Sequence, residues 1–416
     1  MTEQKSETKE NKGLLFTLFL IIFIDLIGIG IVIPVLPVIF FSTDLLPAAA
    51  SDAVRTMLLG FLIASYPFAQ FFGAPILGAF SDQVGRKKLI IVSMIGTFLG
   101  YILFALGILY TNLALLFVSR LLAGFTGGNI SIVQSCIADV STPKTKVKNF
   151  GMIGMAFGLG FIIGPFIGGK LTDSTLVSWF NHATPFWFAA LLVLFNILLV
   201  IFYFQETLKY KQERKVHLFT GFYNIKKAFT HADLRVLFLV IFLMNFGWSF
   251  FTQFFQVFLY HKFSFTSSNI GTYFAYVGLW IAIAQGGVVR FVSSRVAPQN
   301  VLKFSILATA VVLAVIPLPD KALYLYFTVP FMAIFFGLTA PNFSTLVSNS
   351  VDAHMQGEVM GIQQSLLSLS FTIPPIIAGI VSQWGVSLPI YLAAITITIS
   401  WVIFVFGYEH KEKHTN

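Results

Sequence analysis

The stretch "TMLLGFLIASYPFAQFFGAPILGAFSDQVGRKKLIIVSMIGTFLGYILFALGIL" (residues 56–109) holds two long apolar runs joined by a short charged connector. About 20 apolar residues suffice to cross a ~30 Å hydrocarbon core as a helix, and each run is that long. The connector carries Asp82, Arg86, Lys87 and Lys88, although only 10% of the chain is charged. Working outward, comparable runs recur at 14–40, 113–138, 149–169, 185–204, 235–260, 268–291, 301–318, 322–349, 357–383 and 387–407. The composition agrees: 57% hydrophobic residues and a mean hydropathy of +0.85, above the usage of soluble domains. The pattern predicts an all-α polytopic membrane protein with twelve spans and little chain left for any extramembrane domain.

A net charge of +9 raises the question of nucleic acid, and the placement of the charge answers it. With twelve spans both termini lie on one side, and 21 of the 26 Lys and Arg fall on that side. Arg55, Lys170, Lys262 and Lys321 fall on the other, and Arg120 lies within a span. Cytoplasmic loops hold the excess of Lys and Arg, so the basicity is a topology signal that places both termini in the cytoplasm. No nucleic-acid partner is expected. The single cysteine, Cys136, excludes an internal disulfide and a Cys-rich metal site, and no metal is expected. The polar tail before the first span lacks a small-residue cleavage site, so that span is expected to be retained.

The longest connector, "FQETLKYKQERKVHLFTGFYNIKKAFTHADLR" (204–235), divides the spans six and six. The expected layout is a tail (1–13), a six-helix half (14–204), a linker (205–234), a second half (235–407) and a tail (408–416). Residues 138–169 lie without gaps over 348–379 at an offset of 210, pairing Gly151 with Gly361, Phe161 with Phe371, Pro165 with Pro375 and Gly169 with Gly379. A weaker echo at an offset of 209 pairs "GAFSDQVGR" (78–86) with "GVVRFVSSR" (287–295), where Phe291 stands in place of Asp82 and Arg295 in place of Arg86. Duplicated halves around a midplane site are a recurrent transporter plan.

Two charged residues fall well inside spans, Asp25 and Arg120. Burying a lone charge in a bilayer is costly, so each is a functional candidate. Asp25 is about 11 residues, roughly 16 Å, into its helix and so near mid-bilayer. It is expected to alternate between protonated and charged forms, unless hydrogen bonds within a Gly-rich helix lock it. Arg120 does not usefully deprotonate. Beside Asp25 it would favour the charged carboxylate in one conformation and release it in another, or else be a structural arginine satisfied by carbonyls and amides. Polar stripes mark a candidate substrate cavity: Tyr66 and Gln70; Gln134; Asn245, Trp248, Ser249, Thr252 and Gln256; Asn342, Gln363 and Gln364. Lipid-facing amides are costly, so these are expected to face the interior. Gly158, Gly164, Pro165, Gly168 and Gly169 form a small-residue face around a proline, expected to make a tight seam that bends. "GPFIGGK" (164–170) mimics the start of a phosphate loop, but it ends an apolar helix and Leu171 follows it, so ATP is not expected.

Four segments resemble known patterns. "GAFSDQVGRKK" (78–88) resembles the loop between the second and third helices of the major facilitator superfamily, and "RLLAGFTGGN" (120–129) its fourth-helix arginine motif. "GMAFGLGFIIGPFIGG" (154–169) resembles the fifth-helix motif of its twelve-helix drug/proton antiporters, and "DLIGIGIVIPVLP" (25–37) the first helix of the tetracycline-efflux branch. The resemblance implies two pseudo-symmetric six-helix halves, no cofactor beyond a proton gradient, a monomer in a bacterial inner membrane, and alternating access. It also implies that Asp82, Gly85 and Arg86 form a cytoplasmic gate, with Asp139 as a second partner for Arg86 and the start of the eleventh helix near Gly357 as one for Asp82. The function implied is proton-coupled export of a small amphipathic drug, siderophore or metabolite, with Asp25 and Arg120 coupling protons. The alternatives are a proton symporter or facilitator importing a nutrient, and a non-transporting scaffold or sensor. Gly100 stands where the tetracycline branch has an acidic residue on helix 3, so coordination of a metal-chelated drug is not expected.

Overall fold

The computed structural model describes residues 2–141, 146–208, 211, 220–230, 234–293, 295–349 and 356–408. The first half contains α1 (Thr2–Val32), α2 (Leu36–Phe41), α3 (Asp52–Val84), α4 (Arg86–Leu109), α5 (Leu113–Thr126), α6 (Asn129–Asp139), α7 (Lys146–Lys170) and α8 (Thr184–Tyr203). The linker contains α9 (Thr220–Thr230). The second half contains α10 (Arg235–Phe263), α11 (Ser267–Ile283), α12 (Arg290–Ser293), α13 (Pro298–Val315), α14 (Leu323–Asn349), α15 (Gln356–Val381) and α16 (Leu388–Gly407). Among the described residues ten helical stretches are long and apolar enough to cross a membrane, and α7 and α15 cover the other two expected spans. The chain is a multi-pass membrane protein.

Polar residues start the helices where the chain turns. Ser51 accepts a bond from Val54 N at the head of α3, Asn112 does so for α5, and Thr266 and Asn269 form a reciprocal box at α11. Proline occupies the first turn of α2, α8, α13 and α16, where its missing N–H costs nothing.

The helices depart from the sequence pattern in five places. The first span breaks at residues 33–35, beside Pro34. The fourth span is two helices, because the backbone of Gly73 and Ala74 packs against Phe125 and Gly128 and leaves no room for side chains there. The eighth ends in a π-turn, Ala284–Val289. The polar 205–234 linker contains α9, and α1 begins within the 1–13 tail.

Within the first half α1 packs on α7 and α8, and α5 on α3 and α4; within the second, α10 packs on α15 and α16, and α13 on α14 and α16. Beside a smaller contact of α2 with α10, two extensive contacts join the halves, α7 with α11 and α3 with α15. Both close through glycine. A Cβ on Gly169 would lie 3.1 Å from Cα of Gly271, and one on Gly60 3.1 Å from Cα of Gly379. Gly60 and Gly271 are 211 positions apart, and Gly169 and Gly379 are 210 apart. The internal repeat therefore maps one seam onto the other. Both seams lie at the ends of the helices remote from the termini, so that side of the molecule is sealed by backbone contact.

Candidate functional site

The break between α5 and α6 builds the first part of the site. There the Gly127 carbonyl accepts from Gln70 Nε2 at 3.0 Å, and Ser131 Oγ donates to Ala74 O at 2.9 Å. Asn129 thereby begins α6 facing α1, where its Nδ2 donates to Asp25 Oδ2 at 2.7 Å. Asp25 Oδ1 is buried with no hydrogen-bond partner. A carboxylate locked by hydrogen bonds would have both oxygens occupied; Asp25 has one held and one open.

Arg120 is 6% exposed, and its guanidinium lies 4.4 Å above the ring of Phe104, which stacks on Phe186. Its Nε and Nη2 have no hydrogen-bond partner. Arg55 shows what a satisfied arginine looks like in the same protein: it donates to the carbonyls of Phe40, Leu46, Pro47 and Ala50 and so ties down the 42–51 loop. The carbonyl-satisfied reading holds for Arg55 and fails for Arg120. Asp25 and Arg120 form no ion pair in this conformation. Tyr101, buried, and Tyr66, half-buried, are each in electrostatic reach of both charges. The Tyr101 hydroxyl packs against Gly28, and that of Tyr66 against Gly127. Asn129 and Tyr101 are absent from the sequence-derived candidates. Asn129 had a signal, a lone amide after a Gly-Gly pair; Tyr101, one tyrosine in an apolar run, had none.

On the basic side the structure brings together Asp82, Arg86 and Asp139. Arg86 Nη1 lies 2.6 Å from Asp82 Oδ1, and its Nε 3.2 Å from Asp139 Oδ2. Glu206 completes the cluster. Its carboxylate accepts from Arg86 N at 3.0 Å and Lys87 N at 3.1 Å, filling the open donors at the start of α4. Gly85, at φ +117°, makes the turn and leaves the space Glu206 occupies. Thr207 Oγ1 donates to Asp139 Oδ2. Asp82, Arg86 and Asp139 thus meet within the first half, tied to the start of the linker by Glu206 and Thr207. The start of α15, the other partner expected for Asp82, adjoins residues 350–355, which are outside the described residues. In the second half the Arg295 guanidinium sits 3.6 Å above the Phe291 ring, so a cation–π contact replaces the ion pair.

Gly164 and Gly168 press on Ile27, Gly30 and Ile31 of α1, Pro165 meets both Gly30 and Gly271, and Gly169 meets α11. Gly158 departs from the expectation: a Cβ there would meet nothing within 4 Å, because it lies off the 160–164–168 face, and Gly160 takes its place against Leu26. Of the polar stripe, Tyr66, Gln70, Gln134, Asn245, Thr252 and Gln363 are half-buried. Trp248, Ser249, Gln256 and Asn342 are buried in packing, with Trp248 stacked 3.5 Å from Phe336. The Gln364 side chain lies outside the described residues.

Above the glycine seams, remote from the termini, a cavity of about 840 Å³ lies between the halves, lined by Ser42, Asp173, His182, Tyr260, His261 and Ser267 among others. Its floor joins the halves, as Phe41 packs on His261 and Tyr260, and Ser42 Oγ meets Tyr260 OH. Burial holds the His182 imidazole below its ordinary range.

The comparisons agree with this architecture. Residues 18–375 match the model of the Major Facilitator Superfamily. The chain is 30% identical to Multidrug resistance protein 1 of Bacillus subtilis (strain 168), over 94% of this chain and 95% of that one. It is 28% identical to the Tetracycline resistance protein, class B, of Escherichia coli, over 88% of each. The crystal structure of the human organic anion transporter MFSD10 (TETRAN) superposes with a TM-score of 0.72 at 22% identity, covering 95% of this chain and 99% of that one. The family model spans most of the chain, and the fold superposes over nearly its whole length: the chain belongs to the Major Facilitator Superfamily.

Proposed function

We propose that the protein exports a small amphipathic molecule, a drug, siderophore or metabolite, across a bacterial inner membrane in exchange for protons. The relatives named for multidrug, tetracycline and quinolone resistance support export. The excess of Lys and Arg assigns the termini to the cytoplasm, which makes the glycine seams and the 840 Å³ cavity the outer face. With no nucleotide motif in the chain, the energy source is an ion gradient, and the working unit is a monomer.

One observation carries the mechanism: Asp25 has one oxygen held by Asn129 and the other open and buried. A proton on Oδ1 removes a charge from mid-bilayer and gives the carboxyl a donor; losing it restores an acceptor-only anion. Asn129 keeps the carboxyl oriented through both states. The unpaired Nε–H and Nη2–H of Arg120 favour the anion when the half rearranges to bring the two together, so proton loss and substrate loading can share one conformational change. Asp82, Arg86, Asp139 and Glu206 hold the cytoplasmic ends of α3, α4 and α6 as one rigid unit on which the half turns. Gln70, Gln134, Asn245, Thr252 and Gln363 supply neutral contacts to substrate.

The test is uptake of ethidium into inside-out proteoliposomes driven by an imposed pH gradient, acid inside. Wild type is expected to accumulate the dye, and Asp25→Asn to fall at least about tenfold, as loss of the one mid-span carboxyl predicts. Gradient-driven accumulation at the wild-type rate in Asp25→Asn contradicts the assignment.

A further inference from the structure

The linker helix α9 has two unlike faces. Gly221 and Ala228, seven residues and about two turns apart, are buried on one of them. A Cβ on Gly221 would stand 2.5 Å from Cζ of Phe71 on α3, and Asn224 Nδ2 donates to Ser365 Oγ of α15 at 3.1 Å. On the other face Phe222 and Tyr223 are 50% and 60% exposed, and Lys226 is exposed. The half-buried Lys227 carries its Nζ 5.1 Å above the Tyr223 ring. One short helix thus rests on both halves, with rings and lysines turned away from them. No Asp or Glu occurs in α9, so that face is net positive.

What this face looks toward follows from α3. Tyr66 and Gln70 both meet Gly127 at the α5–α6 break and so face the interior. Phe68 and Phe72 each follow one of them by two residues, which at about 100° per residue turns them roughly 160° away, to the lipid side. Phe68, 49% exposed, meets Phe72 edge-on at 5.3 Å, and Phe72 meets Phe222 at 6.0 Å. A row of rings therefore runs over the lipid-facing surface from α3 onto α9. The same contacts set its depth. Phe71 is 13 residues, roughly 20 Å, from the Val84 end of α3, and Ser365 nine residues, roughly 14 Å, from the start of α15. Gly221 and Asn224 lie beside them, so α9 descends toward the basic side as it runs, and α10 starts there five residues after it ends. Lys226 and Lys227 are lower still. Rings among the acyl chains with lysines at the headgroups mark a helix set into the boundary of a bilayer.

We propose that Tyr223, Lys226 and Lys227 form a site for the headgroup of an anionic phospholipid in the leaflet on the basic side. The lysines meet the negative headgroup, and Phe222 and Tyr223 sit against its acyl chains. Charge and depth together select this occupant: a neutral headgroup leaves the lysines unmatched, and a soluble partner does not reach rings set among acyl chains. Because α9 rests on Phe71 in one half and on Ser365 in the other, the bound lipid holds the linker where it crosses between them. The site depends on the chain spanning a membrane and not on the direction of transport.

The experiment places a reporter in the site. Tyr223→Trp is reconstituted in mixed vesicles of phosphatidylcholine and phosphatidylglycerol, with bromine on the acyl chains of one lipid or the other. Bromine quenches tryptophan on contact, and the wild-type chain measured in parallel accounts for its six native tryptophans. Brominated phosphatidylglycerol is expected to quench the added tryptophan at least about twofold more than the same mole fraction of brominated phosphatidylcholine. Lys226→Gln/Lys227→Gln is expected to bring the two lipids level. Lys226→Arg/Lys227→Arg is expected to keep the preference, which separates loss of charge from loss of fold. Equal quenching by the two lipids with both lysines present overturns the site, and so does a preference that survives Lys226→Gln/Lys227→Gln. Absence of quenching by either lipid places α9 in water and overturns the lipid occupant in favour of a soluble acidic partner.

Discussion

Two buried arginines carry the argument at the level of single residues. Arg55 spends its donors on four backbone carbonyls and so has a purely architectural role. Arg120 stacks on Phe104 and leaves Nε and Nη2 unpaired in a low-dielectric interior, a costly arrangement that the proposed coupling puts to use in another state. Arg120→Lys is therefore not conservative: it retains the charge but loses the planar stack and the fork. Coupled transport is expected to drop at least about tenfold in Arg120→Lys, while folding, read by gel filtration, is kept. For Arg55→Lys the order reverses, with thermal stability lowered and coupling per folded molecule retained. Asn129→Ala removes the one bond that orients Asp25 and is expected to weaken coupling without abolishing it, since the open oxygen still takes the proton. Sequence alone marks Asp25 and Arg120, because lone charges in apolar runs are conspicuous. It leaves Asn129 and Tyr101 unmarked, because a single amide or phenol is common in such helices and only the folded chain shows what it faces.

Among the elements, glycine decides how closely the helices approach. At the symmetric seams α7 meets α11 through Gly169 and Gly271, and α3 meets α15 through Gly60 and Gly379, with no space for a side chain. Gly169→Leu is expected to cost about 1–3 kcal/mol through overpacking and to favour an outward-open molecule. Cysteine pairs across the outer cavity would then cross-link more slowly than in wild type; faster cross-linking would contradict the seam. At the other end, Glu206→Gln keeps the shape at the head of α4 but removes the charge that meets its N-terminal donors. A loss of about 0.3–1 kcal/mol, read as a lower melting temperature in detergent, is expected. The glycine motif of α7 was legible as a run of small residues, yet which glycines press on α1 and which on α11 followed from helical phase and tertiary packing. The α5–α6 break was not legible, because the backbone of α3, distant in sequence, causes it. The helix α9 was not legible either, being a short segment whose apolar face is evident only once α3 and α15 lie against it.

The whole molecule is a duplicated scaffold with an unequal division of labour. The twelve spans, the two halves and the offset of 210 are readable because apolar length and charge bias are summed over many residues. The asymmetry is equally physical. Among the described residues of the second half no carboxylate is embedded in a span, and its echo of the Asp82–Arg86 pair is Arg295 resting on Phe291. On the proposed function, energisation belongs to the first half, and the second supplies apolar and neutral surface. The central claim is that the Asp25 carboxyl takes up and releases the proton. Infrared difference spectroscopy on the purified protein tests this most directly, by titrating pH and following the carbonyl stretch of protonated buried carboxyl groups. The account predicts a band that disappears as the pH is raised in wild type and is missing in Asp25→Asn. A band of the same size and pH dependence in Asp25→Asn would contradict it.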